Sequence, residues 1–248
     1  MTDTSAALYL ELLKKVLTNR IQMDTPSAWP AGPGGAEDEG EARPGAFTAH
    51  TMVSPESLDN VQYCVEHALA DGVSGDLIET GVWRGGICVL MRGILKAHGV
   101  EDRRVWVADS FEGVPEADDG SHPLDQEMAL HNLNTVLSVP ADAVRAVFKS
   151  YDLLDEQVEF LEGWFSETLP AAPIESLAVL RLDGDLYVST MDSLSALYPK
   201  LSPGGFVIID DYNMAPCRAA VHEYRDAHGI KEEIKAADSV GVWWRKES

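Results

Sequence analysis

The sequence predicts an α/β fold built on a doubly wound, mostly parallel sheet, and three observations carry that prediction. From residue 76 onward short apolar runs alternate with amphipathic helical stretches, the pattern of strands wrapped by crossover helices. At 248 residues, 45% apolar and 24% charged, the chain is long enough to bury the core such a sheet needs. The last two apolar runs have no helical signal between them, which predicts an antiparallel C-terminal edge. One domain over 1–248 is expected, with residues 1–72 as an N-terminal helical and loop extension and 112–139 as a lid insertion.

Taken in order, residues 5–21 place Leu8, Leu12, Val16 and Ile21 near one helical face, with Tyr9, Leu13 and Leu17 widening the stripe. Residues 24–46 carry Pro26, Pro30 and Pro33, Gly32, Gly34 and Gly35, and the acidic cluster Glu37-Asp38-Glu39 with Glu41, so a loop is expected. Ser54-Pro55-Glu56-Ser57 supplies a capping residue followed by proline at the first helical position, opening a helix to about Ala70. The strand candidates are Leu77-Ile78, Val105–Ala108, Val158–Leu161, Leu177–Leu182 and Phe206–Ile209, and the helical stretches are 86–98, 140–150, 189–200 and 217–228. Two short final strands are expected near 231–237 and 241–246. The acidic, histidine-containing stretch 112–139 interrupts the alternation after the second strand, where long insertions tend to be lids.

Lys+Arg 19 against Asp+Glu 41 gives a net charge of −22, which repels nucleic acid and anionic membranes as partners. Cys64, Cys88 and Cys217 are odd in number and form no C-x-x-C pair, as expected of thiols used as small hydrophobes in a reducing compartment. Met1–Ser5 lack the basic patch and apolar run of a signal peptide, and no stretch is apolar enough to span a bilayer, so a cytoplasmic protein is expected.

In a doubly wound sheet ligands bind beyond the carboxyl ends of the strands. The first run ends in Glu79-Thr80-Gly81-Val82-Trp83-Arg84-Gly85-Gly86, a glycine turn without the G-x-G-x-x-G spacing of a dinucleotide site. Such a turn is also a common plain connector. The second run ends in Asp109-Ser110, where a carboxylate either accepts two ribose hydroxyls or caps a turn. Together these ends favour a nucleoside without phosphates, of which S-adenosylmethionine is the common one. Asp183-Gly184-Asp185 and Asp210-Asp211 end the fourth and fifth runs, so adjacent parallel strands would bring four carboxylates together. Four unpaired anions repel, so some take up protons or a cation joins them, and oxygen-only ligands select Mg²⁺, Ca²⁺ or Mn²⁺. The alternative is that these aspartates cap the helices beginning near Ser189 and Pro216.

These residues carry a resemblance. The turn 79–86, Val107-Ala108-Asp109-Ser110-Phe111-Glu112-Gly113, Leu182-Asp183-Gly184-Asp185 and Ile209-Asp210-Asp211-Tyr212 resemble the macrocin O-methyltransferase family, which includes the mycinamicin and novobiocin sugar O-methyltransferases. The likeness extends to Ala49-His50-Thr51-Met52 and Gly241-Val242-Trp243-Trp244-Arg245. It implies a class I methyltransferase with a Rossmann-like sheet, using S-adenosylmethionine and Mg²⁺ (or Mn²⁺) to methylate a deoxysugar hydroxyl of a natural product. In that pattern Glu79, Gly81 and Arg84 would line the methionine end, with Trp83 and Gly85 also at the cofactor, Asp109 and Ser110 at the ribose, and Gly163, Trp164 and Phe165 at the adenine. Thr51 and Met52 would close over the cofactor. Asp183, Asp210 and Asp211 would hold the metal and Asp185 would be the general base. Apart from the resemblance, the polar side chains His122, Gln126 and His131 of the insertion suit a polar acceptor, and Tyr187 and Tyr212 are expected beside it. That acceptor would be a glycosylated small molecule or a nucleotide sugar. A homodimer would draw on the N-terminal helix and the Trp243-Trp244 edge, which one subunit could equally bury within itself.

Two rival readings remain at this level. Asp183-Gly184-Asp185 is also the D-x-D pattern of metal-dependent glycosyltransferases, although that leaves Asp210-Asp211 and the glycine turn without a role. A catalytically idle methyltransferase-fold scaffold would not need the intact acidic set.

Overall fold

In the computed structural model, which describes residues 4–21 and 49–247, helix α1 (Thr4–Leu17) lies against the rest of the chain by one of two apolar faces. The buried face is Ala6, Leu10, Leu13 and Leu17. The stripe read from the sequence is the other one: Leu8 and Leu12 are 69% and 55% exposed, with Val16 and Ile21 also exposed. Periodicity locates an apolar face, but in a helix that is apolar on two sides it does not say which side has a partner. The loop expected over 24–46 lies outside the described residues.

Helix α2 (Pro55–Ala70) starts as expected, with the Ser54 side chain accepting from the Ser57 amide at 3.0 Å and proline in the first turn. The core then alternates as β1 (Asp76–Thr80), α3 (Gly86–Ala97) and β2 (Val105–Asp109). The insertion is not featureless: it holds α4 (Pro123–Met128), a 3₁₀ turn over Leu130–Leu133 and α5 (Asn134–Leu137). After α6 (Ala141–Ser150) and β3 (Val158–Glu162) comes α7 (Phe165–Ala171), a short helix with Pro170 inside it that no apolar stripe announced. Next are β4 (Leu177–Leu182), α8 (Tyr187–Leu197, continued by a 3₁₀ turn), β5 (Leu201–Ile209), α9 (Ala215–His228), β6 (Lys235–Ala236) and β7 (Val242–Arg245).

The seven strands lie in the order β3-β2-β1-β4-β5-β7-β6, parallel except for β7, which runs antiparallel to β5 and β6. The expected antiparallel C-terminal edge is therefore present. Strand order reverses between β1 and β4, which opens the ligand crevice there. Side-chain alternation sorts the sheet into two cores: Leu77, Val107, Val179 and Ile208 face α1, α2 and α3, while Ile78, Ala108, Leu180 and Val207 face the side of α7, α8 and α9. On β7 the same alternation buries Trp244 under Arg225, 4.7 Å from its ring, and packs Trp243 against Tyr63 and Phe206. The Trp pair is thus used within one chain. No helix among the described residues is long and apolar enough to cross a membrane.

Candidate active site

The β1–β4 register pairs Glu79 with Arg181, so two charged side chains stand side by side on one face of the buried sheet. Arg181 is 0% exposed, and the reading of the sequence passed over it although it stands alone in the apolar run Leu177–Leu182. Its Nη1 donates to Glu79 and, at 2.7 Å, to Asp183 Oδ2, while Nη2 lies 2.6 Å from Asp210 Oδ1. Cys88 Sγ donates to the second Glu79 oxygen at 2.9 Å. Burial, only partly offset by Arg181, pushes Glu79 up to about 7. Burial alone would lower the guanidinium, but Asp210, Asp183 and Glu79 outweigh it and hold Arg181 well above its ordinary value. Arg181 is a fixed cation beneath the strand tips.

The ladder continues past the strands: the Asp183 amide donates to Thr80 O and the Asp210 amide to Leu182 O, both at 2.9 Å. Asp183 and Asp210 therefore sit at neighbouring tips, and Asp183, Asp210 and Asp211 each bring a carboxylate oxygen within 4.8 Å of the others. Asp211 Oδ2 also accepts from the Asp185 amide at 3.3 Å. Burial and then the neighbouring carboxylates raise Asp185 and Asp210 to about 7 and Asp211 well above its ordinary value. With Glu79, five carboxylates face one guanidinium, a formal 1 − 5 = −4. A donor set of oxygens only, with that much unmatched charge, fits a hard divalent cation. The capping alternative does not hold: Leu186 and Met214 occupy the cap positions of α8 and α9, and neither gives a side-chain bond.

Two adjoining cavities open above the tips. The first, about 280 Å³, is walled by Gly81, Asp109, Ser110, Trp164 and Phe165, and the second, about 350 Å³, by Thr51, Glu79, Asp210 and Asp211. Met52, Trp83, Asp183 and Asp185 belong to both walls. Aromatic rings, a buried carboxylate and a close backbone turn in the first cavity fit a nucleoside. Asp109 already accepts from the Val82 and Phe111 amides, at 2.7 and 2.8 Å, so it does cap the glycine turn. Burial raises its proton affinity, against the pull of those amides. Arg84, Gly85 and Gly163 line neither cavity. Arg84 donates to Ala49 O at 3.0 Å and lies over the Trp83 ring, bracing the 49–52 strap, while Gly85 starts α3 against Val144.

Gly81 has φ +86°, and a Cβ there would lie 1.7 Å from the Asp183 carbonyl oxygen. Only glycine lets the first turn pass this close to the acidic tip. Gly81→Ala should cost about 1–3 kcal/mol in urea unfolding, on the scale of overpacking and positive-φ strain. An unchanged midpoint would mean the two tips move apart freely.

None of the polar residues expected to meet an acceptor lines either cavity; four of them are engaged elsewhere, and the buried Nδ1 of His131 has no hydrogen-bond partner among the described residues. His122 caps its own helix and stacks 3.8 Å from Tyr187; Gln126 donates to Asp118 O and Ser121 O; His131 sits on the 3₁₀ turn. The Tyr187 hydroxyl donates to Glu223, and that of Tyr212 pairs with His222. The insertion instead presents Leu130, Leu133 and Leu137, at helical spacing, to the carboxylate cavity. One buried acid on the insertion, Asp125, also escaped the sequence; it accepts from the Tyr187 and Val188 amides at 2.7 and 3.1 Å.

Residues 34–246 match the family model described as macrocin-O-methyltransferase (TylF). The chain is 57% identical, over 99% of its length and 95% of the relative's, to the 8-demethyl-8-(2,3-dimethoxy-alpha-L-rhamnosyl)-tetracenomycin-C 4'-O-methyltransferase of Streptomyces olivaceus. It is 52% identical to the mycinamicin III 3''-O-methyltransferase of Micromonospora griseorubida, covering 99% of each. The solved structure of the O-methyltransferase NovP superposes with a TM-score of 0.90 at 50% identity, over 98% of this chain and 100% of that one.

Proposed function

This chain belongs to the macrocin O-methyltransferase (TylF) family, and on that premise we propose that it moves a methyl group from S-adenosylmethionine to a deoxysugar hydroxyl on an already glycosylated natural product. Membership sets aside the glycosyltransferase reading of Asp183-Gly184-Asp185. The observation that carries the choice of acceptor is the lining of the carboxylate cavity. Among the described residues its charged side chains are all acidic: Glu79, Asp183, Asp185, Asp210, Asp211 and Asp238. The pyrophosphate of a nucleotide sugar would sit within a Debye length of that wall and be repelled. A glycoside with an apolar aglycone brings no charge and meets Leu130, Leu133, Leu137 and Met214. The names of the tetracenomycin and mycinamicin relatives point the same way.

In this reading Asp109 and Ser110 hold the ribose, Trp164 and Phe165 flank the adenine, and Glu79 and Gly81 border the methionine end. Thr51 and Met52 cover the site from the strap. Asp183, Asp210 and Asp211 hold Mg²⁺ or Mn²⁺, with Arg181 fixing two of the three from below. When bound, the cation favours the alkoxide form of the acceptor hydroxyl and the cofactor supplies the methyl group. Asp185, on the wall common to both cavities, takes the proton. The insertion excludes water by laying its leucines over the carboxylates. A homodimer would use the exposed Leu8, Leu12 and Val16 stripe, since Trp244 is consumed in the subunit's own core.

Methyl-labelled S-adenosylmethionine offered with mycinamicin III, the rhamnosylated tetracenomycin and a nucleoside-diphosphate rhamnose tests the acceptor class. Label is expected in a glycoside. Label in the nucleotide sugar alone would overturn the reading.

A further inference from the structure

We propose that Asp125 is a positioning residue that makes closure of the 112–139 insertion and the setting of Asp185 a single event. The proposal rests on the reading of Asp185 as the base. Asp125 is 1% exposed, and its two carboxylate oxygens accept from the first two amides of α8. That helix has no cap of its own, because Leu186 stands at the cap position, so the cap arrives from a segment about sixty residues away. His122, beside Asp125 on α4, stacks on Tyr187 and adds a second contact to the same turn.

Asp185 immediately precedes this turn and has φ +58°, a left-handed conformation for a residue with a Cβ. Such conformations persist where the surroundings hold them. Here Asp211 Oδ2 holds the Asp185 amide on one side, and the α8 turn clamped by Asp125 holds the chain on the other. When the insertion lifts, the Asp125 carboxylate and both amides pass to water together, and the Asp185 turn loses its clamp. The base is then in place only when the cavities are covered, which ties proton removal to exclusion of water.

The test uses the full chain with two substitutions. Asp125→Asn keeps one acceptor oxygen, and Asp125→Ala keeps none. Hydrogen exchange is followed over 113–137 and 186–197, and methyl transfer from labelled S-adenosylmethionine to the rhamnosylated tetracenomycin and mycinamicin III is measured at saturation. Exchange should quicken in both segments together while β1 and β4 stay protected. The kcat should fall in graded fashion, most for Asp125→Ala and by up to about 100-fold, the scale of a displaced reacting group. Exchange quickening in 113–137 alone with kcat unchanged, or no change in exchange at all, would overturn the coupling. Wild-type protein that methylates neither acceptor counts against the proposed function instead. In that case joint quickening of the two segments still supports the coupling, and quickening of the insertion alone still overturns it.

Discussion

Arg181→Met should destabilise the protein by about 3–5 kcal/mol, the cost of removing one partner from a buried ion pair. The guanidinium is 0% exposed and meets Glu79, Asp183 and Asp210, so its removal leaves three carboxylates facing one another in a low-dielectric layer. Methionine fills much of the volume, so the loss measures charge rather than a cavity. The effect should be largest in chelator, where no added cation replaces the lost charge. A second substitution, Glu79→Gln in the Arg181→Met background, should recover part of the loss by removing one of the stranded anions. Urea unfolding of both variants checks this. A single variant within about 1 kcal/mol of wild type would mean the stranded charge is relieved by protons instead, as the raised proton affinities of Glu79 and Asp210 permit.

Asp185→Asn should lower kcat by about 10² to 10⁴, the range for loss of a general base, with S-adenosylmethionine affinity largely kept. An ordinary carboxylate, with a reference pKa of about 3.9, is a weak base for an alcohol. Asp185 is not ordinary: with no cation on its neighbours, burial and the nearby Asp183 and Asp210 bring it up to about 7. It stands on the wall that the two cavities have in common, where methyl donor and acceptor would meet. His122 and His131 have the more suitable intrinsic chemistry but line neither cavity. Near-normal turnover in Asp185→Asn, with loss in His131→Ala or His122→Ala, would move the base to the insertion.

What was legible in the sequence follows from how much each feature depends on topology alone. Alternating strands and helices force consecutive strand ends to one edge of a doubly wound sheet, so the meeting of Asp183, Asp210 and Asp211 needed only the pattern and the adjacency of β4 and β5. Asp109 could be placed at a strand tip but not given one role, because a turn cap and a ribose contact need the same residue at the same place. Arg181 left a signal, a charge inside an apolar run, that only the register with Glu79 turns into an ion pair. Asp125 left none, since its partners are backbone amides far along the chain. The insertion shows a related limit. Its polar residues drew attention as acceptor contacts, while the leucines at 130, 133 and 137 carried the helical spacing that faces inward. The N-terminal helix shows the same limit, with two apolar faces and only one of them covered.

The central claim is that the acidic tips of β4 and β5 hold a hard cation for methyl transfer to a sugar hydroxyl. The direct measurement is label transfer from S-adenosylmethionine to the rhamnosylated tetracenomycin and mycinamicin III, run in excess chelator and again after Mg²⁺ is restored, with cofactor binding followed by calorimetry in both conditions. The account predicts that turnover disappears in chelator and returns with Mg²⁺, while cofactor binding persists throughout because its proposed contacts lie at the ends of β1 and β2, at the start of α7 and on the 49–52 strap, apart from the three metal-holding aspartates. Full turnover in excess chelator would contradict it.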